Sequence, residues 1–202
     1  MQTEELKKIV QELLDTFKEA GKVALELRKK GLNKDLKEDN TPVTNGDLAV
    51  NKILLDKISK LTPNIPIVSE ETSKNKNNNN LKDFWLIDPI DGTSEYINNK
   101  DEFTINAALI INKKPAAGII NAPEKKRLFY SYGHSISFEL VNNKEIKLFD
   151  KKKNKDEVLA VTYSDVLKPE IIKFHKKFNV NKIKKMKSSL KFCVVATGEF
   201  DL

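Results

Sequence analysis

The sequence predicts an α+β region followed by an α/β region. Three observations carry this. Apolar residues recur at helical spacing over residues 4–30. A meander of short β-like runs, joined by turn residues, fills residues 84–141. Alternating strand-like and helix-like stretches then return toward residue 202. Helices first, strands next and mixed elements last is the order expected of helices segregated to one side of a sheet, then of layered units. No internal repeat interrupts it.

The first helix rests on Leu6, Ile9, Val10, Leu13, Leu14 and Phe17, which share one face. Arg28, Lys29 and Lys30 suit its negative end, and Gly31 suits its stop. Residues 32–43 are polar and read as loop. Thr44-Asn45-Gly46-Asp47 has capping-box form, a hydroxyl with an acid three residues on, and so opens a second helix. Val50, Ile53, Leu54 and Ile58 form its apolar stripe, and Pro63 and Pro66 close it off. Ile65–Val68 is a short β-like run ending at Ser69-Glu70-Glu71. Thr72–Asp83 is a low-complexity loop containing four consecutive asparagines, Asn77–Asn80.

Phe84-Trp85-Leu86-Ile87 reads as a buried strand running into Asp88. Further strands are expected at 103–111, Ala116–Ala122, Arg127–Tyr132 and Ser135–Val141, with a hairpin at Asn142-Asn143. Val158–Tyr163 reads as a strand, Pro169–Phe178 as a helix and Ser188–Gly198 as a final helix. The expected division is an α+β region over residues 1–145 and an α/β region over 146–202.

The 202 residues are 39% apolar and 32% charged, an ordinary composition able to bury a core. No apolar run reaches the roughly 20 residues that span a bilayer. The acidic start, Met1-Gln2-Thr3-Glu4-Glu5, lacks the basic-then-apolar order of a signal peptide. Cys193, the single cysteine, has no partner for an internal disulfide. These features point to the cytoplasm. The net charge is +7, and fourteen lysines against five acids between Lys147 and Lys191 concentrate it in the last third. Such a lobe could steer a polyanion, although an AT-rich coding sequence also yields solvating lysines. No basic motif interleaved with aromatics supports nucleic-acid binding.

Asp88-Pro89-Ile90-Asp91-Gly92-Thr93 is the sharpest chemical signal. Its two carboxylates stand three residues apart, Pro89 fixes one backbone angle between them, and Gly92 permits a sharp turn. Carboxylates are natural ligands of a hard cation such as Mg²⁺, and a bound divalent ion lets two close ones stay ionised. The same residues also suit a plain turn. Glu70 ends the preceding strand, and a parallel pairing of the two strands would bring it to the edge that holds Asp88.

With these residues in view, the chain resembles the inositol monophosphatase superfamily from its first helix to residue 202. Trp85-Leu86-Ile87-Asp88-Pro89-Ile90-Asp91-Gly92-Thr93 is similar to the superfamily's first signature, Val68-Ser69-Glu70-Glu71 to its acidic pair, and Pro42-Val43-Thr44-Asn45-Gly46-Asp47 to its Pro-Val-Thr-x-x-Asp segment. Ser94-Glu95-Tyr96-Ile97 and Ser188-Ser189-Leu190-Lys191-Phe192-Cys193 resemble the 3'(2'),5'-bisphosphate nucleotidase branch.

The resemblance implies a layered αβαβα sandwich. It implies two or more Mg²⁺ ions held by Glu70, Asp88, the Ile90 carbonyl and Asp91, with Asp88 bridging two of them. Asp47 and Thr93 would orient and deprotonate the attacking water. Glu70, Ile90, Asp91, Gly92 and Thr93 would also line the phosphate position, and Ser189 and Lys191 are weaker candidates for nucleotide or phosphate contact. Asp47 and Thr93 also suit helix caps, which for Asp47 is compatible with the same role, and Ser189 and Lys191 can equally be a cap and an exposed lysine. Glu71 reads as a supporting acid. His134 and His175 read as ordinary surface or loop histidines, and Cys193 as a small core residue.

Two departures stand out. Where the family often carries Ser-Arg-Ser-His, this chain reads Thr162-Tyr163-Ser164-Asp165. The family's Trp-Asp-x-Ala-Ala segment, which follows the region matched by Gly198–Leu202, is missing, since Trp85 is the only tryptophan. The expectation is an incomplete C-terminal layer, as in a truncated relative, with a compromised second metal position. The implied reaction is Mg²⁺-dependent hydrolysis of the 3'-phosphate of adenosine 3',5'-bisphosphate, a step of sulfur metabolism, on a small nucleotide bisphosphate and with no specific nucleic-acid partner. Three alternatives stand beside it: a phosphatase of inositol phosphates, a non-catalytic remnant that holds a metal and an anion, and a nucleic-acid binder. The implied location is the cytoplasm or its face of the inner membrane. The oligomeric state is left open.

Overall fold

A computed structural model describes residues 1–37, 40–71, 80–148 and 157–202. The asparagine run at 77–79 and the lysines at 151–155 lie outside them. Helix α1 spans Thr3–Lys30 and buries Leu6, Val10, Leu13, Phe17, Ala20, Gly21 and Ala24, one stripe at three- and four-residue spacing. It ends at Gly31, whose φ of 100° is open to glycine. Helix α2 spans Asn45–Leu61 and buries Val50, Leu54 and Ile58.

Residues 32–43 are not all loop. Strands β1 (Lys34–Leu36) and β2 (Pro42–Thr44) pair there as an antiparallel hairpin. Polar composition hid them, since every residue of β1 is exposed.

The main sheet has seven strands in sequence order. These are β3 (Ile67–Ser69), β4 (Phe84–Asp91), β5 (Thr104–Ile111), β6 (Lys114–Ala122), β7 (Arg127–Ser131), β8 (Ser137–Val141) and β9 (Lys144–Lys147). Only β3 and β4 run parallel; the other pairs are antiparallel. The β8–β9 turn is Asn142-Asn143, both with positive φ, as an asparagine-rich two-residue hairpin requires.

Helices α1 and α2 cover one face of this sheet and make the principal core with Trp85, Ile87, Ile105, Leu109 and Ile119. The fit is close at Gly21, where a Cβ would lie 2.6 Å from Asn121 Nδ2. That amide donates to Phe17 O at 2.7 Å, tying α1 to β6.

The other face carries the second region. Strand β10 (Val158–Thr162) pairs in parallel with β11 (Val180–Lys185), with α4 (Pro169–Lys177) between them and α5 (Leu190–Ala196) after. The short α3 (Thr93–Ile97) follows β4. Ala122, Phe129, Met186, Leu190, Cys193 and Val194 form a smaller core joining this region to the main sheet. His175 is buried on α4, with Nδ1 lacking a partner, so it is not a surface or loop residue. The chain's last residues add to β10: Asp201 N donates to Leu159 O at 2.7 Å and Val161 N to Leu202 O at 2.8 Å. Among the described residues, no helix is long and apolar enough to cross a membrane.

Candidate active site: a bulged strand that gathers carboxylates

The site begins with a defect in β4. Asp88 stands opposite Asn106, and Asp91 opposite Thr104. Three steps along β4 therefore match two along β5, so β4 carries one extra residue at Pro89-Ile90. In a regular strand, residues three apart point to opposite faces. The bulge cancels one alternation and puts Asp88 and Asp91 on the same face. Proline is tolerated there because a bulge does not need its missing N–H.

Glu70 arrives by the parallel pairing. Ser69 lies beside Ile87, and Glu70 N donates to Ile87 O at 3.0 Å, which sets Glu70 next to Asp88. Asp47 comes from the first turn of α2. Its Oδ2 accepts from Thr44 N at 2.8 Å and from Thr44 Oγ1 at 2.5 Å, the reciprocal capping box. Its Oδ1 is thereby turned toward Thr93 Oγ1, 3.5 Å away. Thr93 Oγ1 lies 3.1 Å from Ile90 O, and Gly92, at φ 91°, makes the turn between them.

These acids strain against one another. Burial, then the Glu70 and Asp91 carboxylates, push the Asp88 carboxyl from an ordinary 3.8 up to about 8. Burial also lifts Asp47, against the two Thr44 hydrogen bonds. Asp88 Oδ1 is buried with no hydrogen-bond partner. A buried carboxylate oxygen without a donor, beside two further acids, is a position that a hard divalent cation satisfies. The residues present therefore fit Mg²⁺. Among the described residues, no three His, Cys, Asp or Glu side chains are already drawn together around one ion position. A lysine stands among the acids as well.

Lys37, just after β1, donates from Nζ to Glu70 Oε1 at 2.6 Å and Glu71 Oε1 at 2.8 Å. Burial pulls its amine down, but the two carboxylates outweigh this and hold it above its ordinary value. Sequence reading missed Lys37 because it lies in the polar stretch taken for loop.

On the other side, Ser189 N donates to Asp91 Oδ2 at 2.5 Å, and Lys191 Nζ donates to Ser188 O at 2.6 Å. The structure thus brings Asp47, Glu70, Asp88, Asp91 and Thr93 together and sets Ser189 against them, with Lys191 turned back over the Phe192 ring. Thr104 and Asn106, also missed, left a legible trace: two polar residues in alternation inside an otherwise apolar run. Tyr96 and Glu95 are buried. Tyr96 donates to Ala24 O at 2.6 Å, so its role is in packing.

Layered helices on a mixed sheet, with carboxylates gathered at a bulged strand, define the class. The chain belongs to the inositol monophosphatase family, whose model matches residues 5–202. It is 36% identical over 199 residues to the 3'(2'),5'-bisphosphate nucleotidase CysQ of Buchnera aphidicola, covering 95% of this chain and 73% of that one. It is 33% identical over 187 residues to the CysQ of Haemophilus influenzae, covering 91% of this chain and 70% of that one. Among solved structures, CysQ from Bacteroides thetaiotaomicron superposes with a TM-score of 0.73 at 26% identity, over 94% of this chain and 76% of that one.

Proposed function

We propose that this chain is a Mg²⁺-dependent phosphomonoesterase that removes the 3'-phosphate of adenosine 3',5'-bisphosphate, giving AMP and phosphate. The observation that carries the chemistry is the bulge in β4, which sets Asp88, its Oδ1 without a partner, beside Asp91 and next to the Asp47–Thr93 pair. The names of the CysQ relatives favour the nucleotide over other phosphomonoesters.

Glu70, Asp88, Asp91 and the Ile90 carbonyl would hold the metal. Bound Mg²⁺ supplies charge to lower the pKa of water and to stabilise the departing oxygen. The chain's own residues do the rest. Thr93 Oγ1 accepts the proton of the attacking water as it passes its own to Asp47 Oδ1. Thr44 holds Asp47 in the orientation this transfer needs, and burial, by raising the Asp47 pKa, makes it a better base near neutral pH. Backbone N–H groups at the start of α3, at Gly92 and Thr93, would meet phosphate oxygens. We also propose that the enzyme works in the cytoplasm or at its membrane face.

The test is phosphate release with Mg²⁺ from adenosine 3',5'-bisphosphate and, separately, from inositol 1-phosphate. Faster release from the nucleotide is expected. Equal or reversed rates would move the assignment to the inositol phosphates, and no release from either would leave a binding protein.

A further inference from the structure

Strand β5 runs beside the metal-ligand segment of β4, and its two inward polar residues converge on one hydroxyl. Ser189 Oγ lies 2.9 Å from Asn106 Oδ1 and 2.8 Å from Thr104 Oγ1. A serine hydroxyl has one hydrogen. Since it is donated to Asn106 Oδ1, Thr104 is the donor of the second bond. Ser189 is thus pinned from two sides, and its backbone N–H is aimed at Asp91 Oδ2.

Thr104 and Asn106 are also the cross-strand partners of Asp91 and Asp88. The acids of β4 and the polar pair of β5 therefore share one face, with Ser189 bridging them. Thr104 has no exposed surface, so no ligand can touch it. All of Ser189's donors are used inside the protein. Ser189 itself therefore has no donor left for a ligand.

We propose that Thr104 and Asn106 are positioning residues that couple the 188–191 segment to Asp91. A nucleotide seated on this segment would hold the Ser189 N–H on Asp91 and so tighten the metal position. By linkage, the metal tightens the nucleotide by the same factor. The inference rests on the nucleotide phosphatase reading above.

AMP is the suitable probe. It lacks the 3'-phosphate that this reading places at the metal; its own chelation of Mn²⁺ through the 5'-phosphate is measured without protein and subtracted, and the part of the coupling that passes through the protein is the part the variants change. Mn²⁺ binding is measured by calorimetry with and without saturating AMP, in wild type, Thr104→Val, Thr104→Ser and Asn106→Ala, with the melting temperature of each. AMP is expected to tighten Mn²⁺ in wild type and in Thr104→Ser. Losing one neutral hydrogen bond should shrink that factor roughly two- to tenfold in Thr104→Val and in Asn106→Ala. Thr104→Val keeps the shape of the side chain; if it fails to fold, Asn106→Ala carries the comparison. An unchanged factor in the variants, with or without a lower melting temperature, reduces the pair to structural support and overturns the proposal. So does a wild type in which AMP leaves Mn²⁺ binding unaltered. The cycle reads binding alone. Coupling without phosphate release overturns only the reaction, and release without coupling overturns only this inference.

Discussion

Replacing Asp88 by asparagine should stabilise the metal-free chain while abolishing turnover. Partial burial, then the neighbouring Glu70 and Asp91 carboxylates, raise the Asp88 pKa in the folded state to about 8, against 3.8 for the ordinary side chain. A group whose pKa is raised by folding favours the folded state least when ionised. Its cost is small near pH 4, grows as pH rises toward 8 and levels off above that. At about 1.4 kcal/mol per unit, the rise amounts to a few kcal/mol, shared with the coupled acids around it. Asparagine has nearly the same shape and no charge, so it escapes this cost. Urea unfolding in EDTA should show Asp88→Asn more stable than wild type by on the order of 2–4 kcal/mol at pH 8, and by clearly less at pH 5. Adding Mg²⁺ at pH 8 should stabilise wild type and leave the variant nearly unmoved, because only the wild type binds the ion well. A wild type more stable than the variant in EDTA at pH 8, or equal stabilisation of both by Mg²⁺, would refute the reading of Asp88 as a charge that awaits a cation.

Thr44→Ala removes both the helix cap and the group that aims Asp47; it should cost about 1 kcal/mol in urea unfolding and lower kcat far more than KM. Gly46→Ala places a Cβ against the Tyr96 hydroxyl and ring. A melt should show a clear loss of stability, because Tyr96 is fully buried and held by Ala24 O. His175→Ala should lower the melting temperature modestly by opening space behind α4, while Mg²⁺ binding by calorimetry and turnover stay unchanged.

Much of this was legible in the chain because its signals were strong and local. The period of α1, the capping box at Thr44 and the apolar run into Asp88 each specify their own geometry. The parallel approach of Glu70 to Asp88 was legible as well, since both end short apolar runs. The bulge was not. A proline between two acids reads as the end of a strand, and only the pairing with Thr104 and Asn106 shows the strand continuing past it. The hairpin β1–β2 and strand β11 escaped for another reason. Strands β1 and β11 are almost wholly exposed, so pairing, with little burial behind it, makes them strands, and β2 is a three-residue piece too short to show a pattern. His175 was misplaced because three lysines in the same short segment outweigh one imidazole in any reading of polarity.

What holds the 188–191 segment against the site can be decided by magnitude. Polar ties are conspicuous between the two regions. Arg127 on β7 pairs with Glu139 at 2.6 Å and with Glu199 at 2.5 Å, and Lys187 N donates to Glu102 at 2.9 Å. Yet the Glu199 side chain is 41% exposed, and exposed ion pairs contribute about 0–1 kcal/mol. Met186, Leu190, Cys193 and Val194 are buried against Ala122 and Phe129, and each large apolar side chain so buried contributes about 1.5–3 kcal/mol. The apolar cluster therefore supplies most of the attachment, and the ion pairs select its orientation. That division matters for the chemistry. Leu190 lies next to Ser189, so the packing that anchors α5 also sets the height of the Ser189 N–H over Asp91. The hydroxyl bonds to Thr104 and Asn106 then fix its angle. Asp91 on β4 is thus positioned by a hydrophobic cluster on the opposite side of its own sheet from α1 and α2, and a change as remote as Phe129→Ala should be felt there.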